Sequence, residues 1–155
     1  MVVGPDNHEQ GTTMTDRTAS VVWSGTLFEG SGTVNLDSSG LVSDAPVSWP
    51  ARAEEPGGKT SPEELIAAAH ASCYSMALSK ALADNGTPAD KLETSATVTF
   101  VPGTGITKSA ITVRVTAPGL DDDGLAATTQ GAKDGCPVSG ALADSVEITL
   151  DAAFA

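Results

Sequence analysis

Two thiols carry the chemistry this sequence can do. The stretch HASCYSMALSK, His70 to Lys80, sets Cys73 in the middle of an alanine-rich helical pattern, and DGCPVSG sets Cys136 directly before Pro137. A free cysteine can be core packing, because it behaves as a small hydrophobe. It can also be a nucleophile, provided something stabilises its thiolate. Cys73 lies about three turns into its helix, where the dipole is weak, so it needs a separate positive group. Cys136 falls near the N-cap of a short helix, where unsatisfied N–H groups favour negative charge. Residue types alone leave both thiols open to either role. His70, three positions before Cys73, raises the further idea of a Cys/His pair for ester hydrolysis. A side chain one turn back leans toward the N-terminus, away from the following thiol, which favours a packed or hydrogen-bonded histidine.

The element that must position Cys73 is the best helix in the chain, SPEELIAAAHASCYSMALSKALADNG. Ser61 is a natural N-cap, Pro62 suits the first helical position, Glu64 completes a capping box, and Asn85-Gly86 supplies a stop, so Pro62 to Asp84 is predicted helical. Ala69, Cys73, Met76, Ala77 and Lys80 recur at three- and four-residue spacing among small residues, which predicts close approach of another backbone and little exposure to water. Upstream, TASVVWSG, GTLFEGSGTVNLDSSG and LVSDAPVSW alternate between glycine and serine turns and predict antiparallel strands. PARAEEPGGKT, Pro50 to Thr60, reads as a loop. Its GGKT lacks the glycine a phosphate-binding loop needs, because Ala53 stands there. Downstream, KLETSATVTFVPG and GITKSAITVRVTAPG predict a long hairpin, DDDGLAATTQGAKDG and CPVSGALAD short helices, and SVEITLDAAF a closing strand. The order is that of an α+β domain. A polar, aperiodic N-terminal stretch reads as a flexible extension over residues 1–16, ahead of one domain over 17–155.

Composition narrows the partners. Twenty acidic residues against eight basic ones give a net charge of -12, which repels phosphate backbones and anionic membrane surfaces. Neither nucleic acid nor a membrane is an expected partner. No apolar run reaches the roughly eighteen residues of a span, and the chain opens with no basic leader or apolar signal core, so a soluble, cytoplasmic protein is expected. Two cysteines are too few for a disulfide scaffold, and His8 and His70 are too few for a zinc cluster, so the cysteines are expected to act as thiols, with no cofactor or metal.

Arg52 to Leu82, with TSPEELIAAAHASCYSMALS, together with AKDGCPVSGAL, resembles the OsmC/Ohr family (osmotically inducible protein C and organic hydroperoxide resistance protein), the OsmC branch more closely. The resemblance runs from about Thr18 to Phe154. It implies an OsmC-like fold: antiparallel sheets around a long central cysteine-bearing helix, in an intertwined homodimer. It also implies a thiol-dependent peroxidase of the stress response, an antioxidant that reduces organic hydroperoxides to alcohols with two redox-active cysteines. By that likeness Cys73 is the peroxidatic thiolate and becomes a sulfenic acid, and Cys136 resolves it as an intramolecular disulfide. A dithiol reductant, in the family typically a lipoyl-bearing protein, resets the disulfide. Arg52 matches the family's active-site arginine and Glu63 the acid that orients it. Each has a plainer reading, as a solvated loop charge and as a first-turn residue complementing the dipole. Ten residues separate Glu63 from Cys73, roughly 15 Å along a straight helix, so the site is expected to be shared across the dimer. The alternative is a non-catalytic dimeric stress protein or small apolar ligand carrier of the same fold, with both thiols as packing.

Overall fold

The computed structural model describes residues 13–155, so the expected extension over 1–16 lies largely outside the described residues. Three short strands come first: β1 (Ser20–Ser24), β2 (Ser31–Asn35) and β3 (Ala45–Val47), antiparallel in the order β1-β2-β3. Every residue of β1 is exposed. This sheet makes no extended contact with the second sheet or with the long helix.

Helix α1 (Trp49–Ala53) occupies the start of the expected loop. The Ser48 hydroxyl accepts the Ala51 N–H at 3.3 Å, Pro50 suits the first turn, and Ala51 is buried. A proline read as a loop marker is here a helix starter, and only the glycine-rich remainder before Thr60 is loop. Helix α2 (Pro62–Asp84) runs over the predicted residues. Its Ser61 hydroxyl accepts the Glu64 N–H at 3.2 Å. The return arm of the capping box is not made, because the Glu64 carboxylate accepts instead from the Thr60 hydroxyl at 2.7 Å. Asn85 caps the far end, and Gly86 turns the chain away at φ 79°, where an L side chain would be strained.

Strands β4 (Lys91–Val101) and β5 (Gly105–Thr116) form the expected antiparallel hairpin, with a register shift between Thr99 and Phe100. Helices α3 (Asp122–Gly135) and α4 (Pro137–Leu142) carry the chain back, and β6 (Glu147–Phe154) pairs with β5 in parallel. The second sheet is therefore mixed rather than wholly antiparallel. The helical crossover returns the chain to the end at which β5 begins, as a parallel pairing requires.

One face of α2 is inside. His70, Tyr74, Leu78 and Leu82 fall every four residues and are fully buried, against Ile111, Val113 and Val115 of β5 and Leu125 and Ala132 of α3. In β5 the buried positions Ser109, Ile111, Val113 and Val115 alternate as a strand requires. The other face of α2 departs from expectation, since Ala69, Met76 and Lys80 are exposed in this single chain. Leu78→Ala is expected to cost about 2–5 kcal/mol, by lost burial plus a residual cavity. A lowered urea midpoint with an unchanged slope would show it.

Candidate active site

Helices α2 and α4 bring the two thiols together. Cys73 is half-buried on α2, and Cys136 is fully buried where α3 ends and α4 begins. Pro137 lets α4 start there, so the Val138 and Ser139 N–H groups face the sulfurs. Cys136 closes no capping hydrogen bond of regular geometry. Its surroundings still favour charge. Burial pushes the Cys136 thiol up, but the Ser139 N–H, the Cys73 thiol, the Ser139 hydroxyl and the Val138 N–H outweigh it and bring its pKa below the usual thiol range. Burial pushes Cys73 up, the Val138 N–H draws it partly back, and hydrogen bonding and charge at Cys136 push it up again. In the isolated subunit, then, the surroundings favour a thiolate on Cys136 over one on Cys73. Both thiols are free.

A cavity of about 490 Å³ opens at Cys73, lined by Met76, Ala77, Lys80 and Ala81 of α2 and by Gly131, Gly135 and Pro137. Among the described residues no Leu, Ile or Tyr lines this cavity. Tyr74 turns inward, where its hydroxyl donates to the Thr129 carbonyl at 3.0 Å.

Arg52 and Glu63 meet each other but not the thiols. Arg52 sits in the last turn of α1, and the Val47–Thr60 bridge folds the intervening loop so that Arg52 faces the first turn of α2. Arg52 Nε and Nη2 both donate to Glu63 Oε1, at 3.0 and 2.9 Å. Glu63 Oε2 is buried without a hydrogen-bond partner. The guanidinium lies over Phe100, 4.2 Å from the ring centroid, and Trp49 stands edge-on to Phe100 and to Phe28 at 6.0 and 5.9 Å. Beside it a largely apolar cavity of about 390 Å³ is lined by Trp23, Leu27, Trp49, Pro62 and Leu65. Because α2 is unbroken from Pro62 to Asp84, Glu63 and Cys73 stay roughly 15 Å apart along its axis. One chain therefore carries two separate half-sites: a thiol pair whose cavity is bordered by Lys80, itself paired with Asp84, and an arginine positioned by Glu63 with no thiol beside it.

His70 makes no Cys/His pair. Its Nδ1 lies 2.7 Å from Ser109 Oγ and its Nε2 lies 2.8 Å from Ser139 Oγ, all fully or nearly fully buried. Burial pushes its pKa down, so it is neutral. Sequence reasoning missed Ser109, Ser139 and Val138, and also the Trp49, Phe100 and Phe28 cluster. Pro137 after Cys136 was a usable signal for the α4 amides. Nothing local marked Ser109 or Phe100.

Residues 55–151 match the family described as OsmC-like protein. The chain is 42% identical over 132 residues to the "Peroxiredoxin OsmC" of Escherichia coli (strain K12), covering 83% of this chain and 90% of that one. Among solved structures, the organic hydroperoxide resistance protein OhrB of Bacillus subtilis superposes with a TM-score of 0.62 at 26% identity, over 88% of this chain and 98% of that one. An OsmC-like protein from Mycoplasma pneumoniae superposes with a TM-score of 0.69 at 13% identity, over 92% and 99%, a likeness of fold. The family match and the identity over most of the length agree with the fold and the motif pair: the chain belongs to the OsmC family.

Proposed function

We propose that the protein is a thiol peroxidase that reduces organic hydroperoxides to alcohols through Cys73 and Cys136. The observation that carries this reading is the contact between a half-exposed thiol at a cavity and a fully buried one held by the α4 amides. The peroxiredoxin name of the relative from Escherichia coli supports the reaction type, and the Bacillus neighbour's name supports the substrate class. The Cys73 thiolate attacks the distal peroxide oxygen. The O–O bond breaks, alkoxide leaves and takes up a proton, and Cys73 becomes a sulfenic acid. The Cys136 thiolate then attacks the Cys73 sulfur and expels hydroxide, which takes up a proton, leaving water and a disulfide. A dithiol, by family resemblance a lipoyl-bearing protein, returns two electrons.

The complete site takes two subunits. Val21, Val22, Trp23, Leu27, Phe28 and Met76 are exposed large hydrophobics, and the sheet that carries the first three has no face packed on its own chain's long helix. An intertwined homodimer covers these residues and brings Arg52 and Glu63 of the second subunit to Cys73. The guanidinium then favours the thiolate form of Cys73, the accessible sulfur. The aromatic wall of the Arg52 half-site favours an apolar peroxide over hydrogen peroxide, whose small polar body gains nothing there. The test is consumption of cumene hydroperoxide by the purified protein with excess dithiothreitol, beside a hydrogen peroxide control. Faster turnover of the organic peroxide is expected. No turnover, with cumene hydroperoxide bound but intact, would favour the apolar ligand carrier.

A further inference from the structure

A buried chain of side chains ends on Cys136, and the two-thiol cycle as described makes no use of it. Ser109 of β5, His70 of α2 and Ser139 of α4 come from three elements distant in sequence, and their polar atoms meet at 2.7 and 2.8 Å in the buried interior. Ser139 lies three residues after Cys136, one helical turn along α4, and its hydroxyl is among the groups that favour charge on the Cys136 sulfur. Three protons must be placed among these groups: two hydroxyl and one on the neutral imidazole. If Nδ1 holds the ring proton, it donates to Ser109, the Ser139 hydroxyl turns to Nε2, and Cys136 loses its hydroxyl donor. If Nε2 holds it, Ser109 donates to Nδ1, Nε2–H donates to Ser139, and the Ser139 O–H points at Cys136. Only the second arrangement uses all three protons, and a buried unused donor is costly.

We propose that Ser109, His70 and Ser139 form a positioning relay that aims the Ser139 hydroxyl at Cys136 and makes Cys136 the leaving sulfur when the dithiol reductant opens the disulfide. The proposal rests on the two-thiol reading. In that step a reductant thiolate attacks Cys73 Sγ, which borders the cavity, while Cys136 Sγ is sealed in the core. The S–S bond breaks, its electron pair stays on Cys136, and a mixed disulfide forms on Cys73. The second reductant thiol attacks its own sulfur of that bond, the pair passes to Cys73, and the reductant leaves as its disulfide. A leaving thiol with a lower pKa departs faster, so a hydroxyl aimed at the departing sulfur accelerates the opening. His70 and Ser109 touch neither sulfur and are positioning residues.

The groups that face this sulfur are few. Cys73 and Tyr74 come from α2, and Tyr74 is kept protonated because burial pushes its pKa far up. His70 acts through Ser139, and Lys133 and Asp134 of α3 line the outer cavity that Ser139 also borders.

The disulfide can be formed with diamide in the full-length protein, without peroxide, and its opening by dithiothreitol followed by stopped flow as a function of pH. Ser139→Ala is expected to slow the opening about three- to tenfold by the same factor at each pH, since the profile follows the reductant thiol, and to displace the ultraviolet thiolate titration of the reduced protein upward. It should slow sulfenic acid formation on Cys73 less than it slows the opening. His70→Asn is expected to behave like Ser139→Ala. His70→Gln, whose Nε2–H reaches the position of the imidazole Nε2–H, should recover much of the rate. With 2-mercaptoethanol as reductant the mixed disulfide should map to Cys73. A merely structural role would lower stability without moving the thiolate titration of the reduced protein and without distinguishing Gln from Asn. That result, a mixed disulfide on Cys136, or no disulfide with diamide would overturn the proposal. Failure of the two-thiol reading looks different: the unmodified protein would leave cumene hydroperoxide intact while Ser139→Ala still slowed the opening.

Discussion

Cys73→Ser is expected to bring cumene hydroperoxide consumption down to the uncatalysed background, with either dithiol or monothiol reductants. The hydroxyl of serine is not ionised near neutral pH, and Cys136, the other sulfur, is fully buried and out of reach of a bulky peroxide. Cys136→Ser should behave differently. Its first turnover still consumes one peroxide per site, because Cys73 remains to attack. The sulfenic acid then has no resolving partner, and further peroxide carries it to sulfinic acid. Mass spectrometry of the peptide bearing Cys73 reads the outcome: disulfide in the unmodified protein, sulfinic acid in Cys136→Ser. Equal turnover in Cys73→Ser and the unmodified protein would remove Cys73 from the reaction.

Mixing an inactive variant with an impaired one is expected to restore activity. Cys73→Ser retains Arg52, and Arg52→Gln retains Cys73. Where each site draws its thiols from one subunit and its arginine from the other, a mixed dimer holds one complete site and one doubly defective site. Random re-pairing makes half the dimers mixed, so recovery should reach about a quarter of the unmodified activity. Arg52→Gln alone should lose about tenfold or more, because the removed cation favours the Cys73 thiolate by about one to three pKa units. Glutamine suits the test because it can still donate to Glu63, whose carboxylate is buried and already has one oxygen without a partner. Coexpressed or co-refolded variants that stay as inactive as their parents would place Arg52 with the thiol of its own chain, against an unbroken α2 that holds Glu63 and Cys73 roughly 15 Å apart.

Legibility of the fold followed the range of the forces. The limits of α2 could be read because Ser61, Pro62 and the Asn85-Gly86 pair act within a turn of the helix ends. The β4–β5 hairpin could be read because eleven and twelve alternating residues meet around a glycine-containing turn. Helix α1 reads as loop in the sequence because Pro50 suits both, and the deciding contacts are the Ser48 cap and the burial of Ala51. The parallel pairing of β6 left no mark, since its own residues alternate equally well for either direction.

Of the candidate site, residue types and family likeness identified Cys73, Cys136, Arg52 and Glu63. Helical rise alone already separated the last of these from the first. The sequence by itself determined the motif pair, the caps and the long helix, because each depends on neighbours a few positions away. Only the tertiary structure decided that α4 lends its amides to both sulfurs, that Arg52 rests on Glu63 and Phe100, and that His70 joins Ser109 to Ser139. Those contacts span 39 and 69 residues for His70 alone, and β5, α2 and α4 meet there only once the apolar stripe of α2 is buried. No local preference encodes a distance of that kind; burial of a shared core sets it.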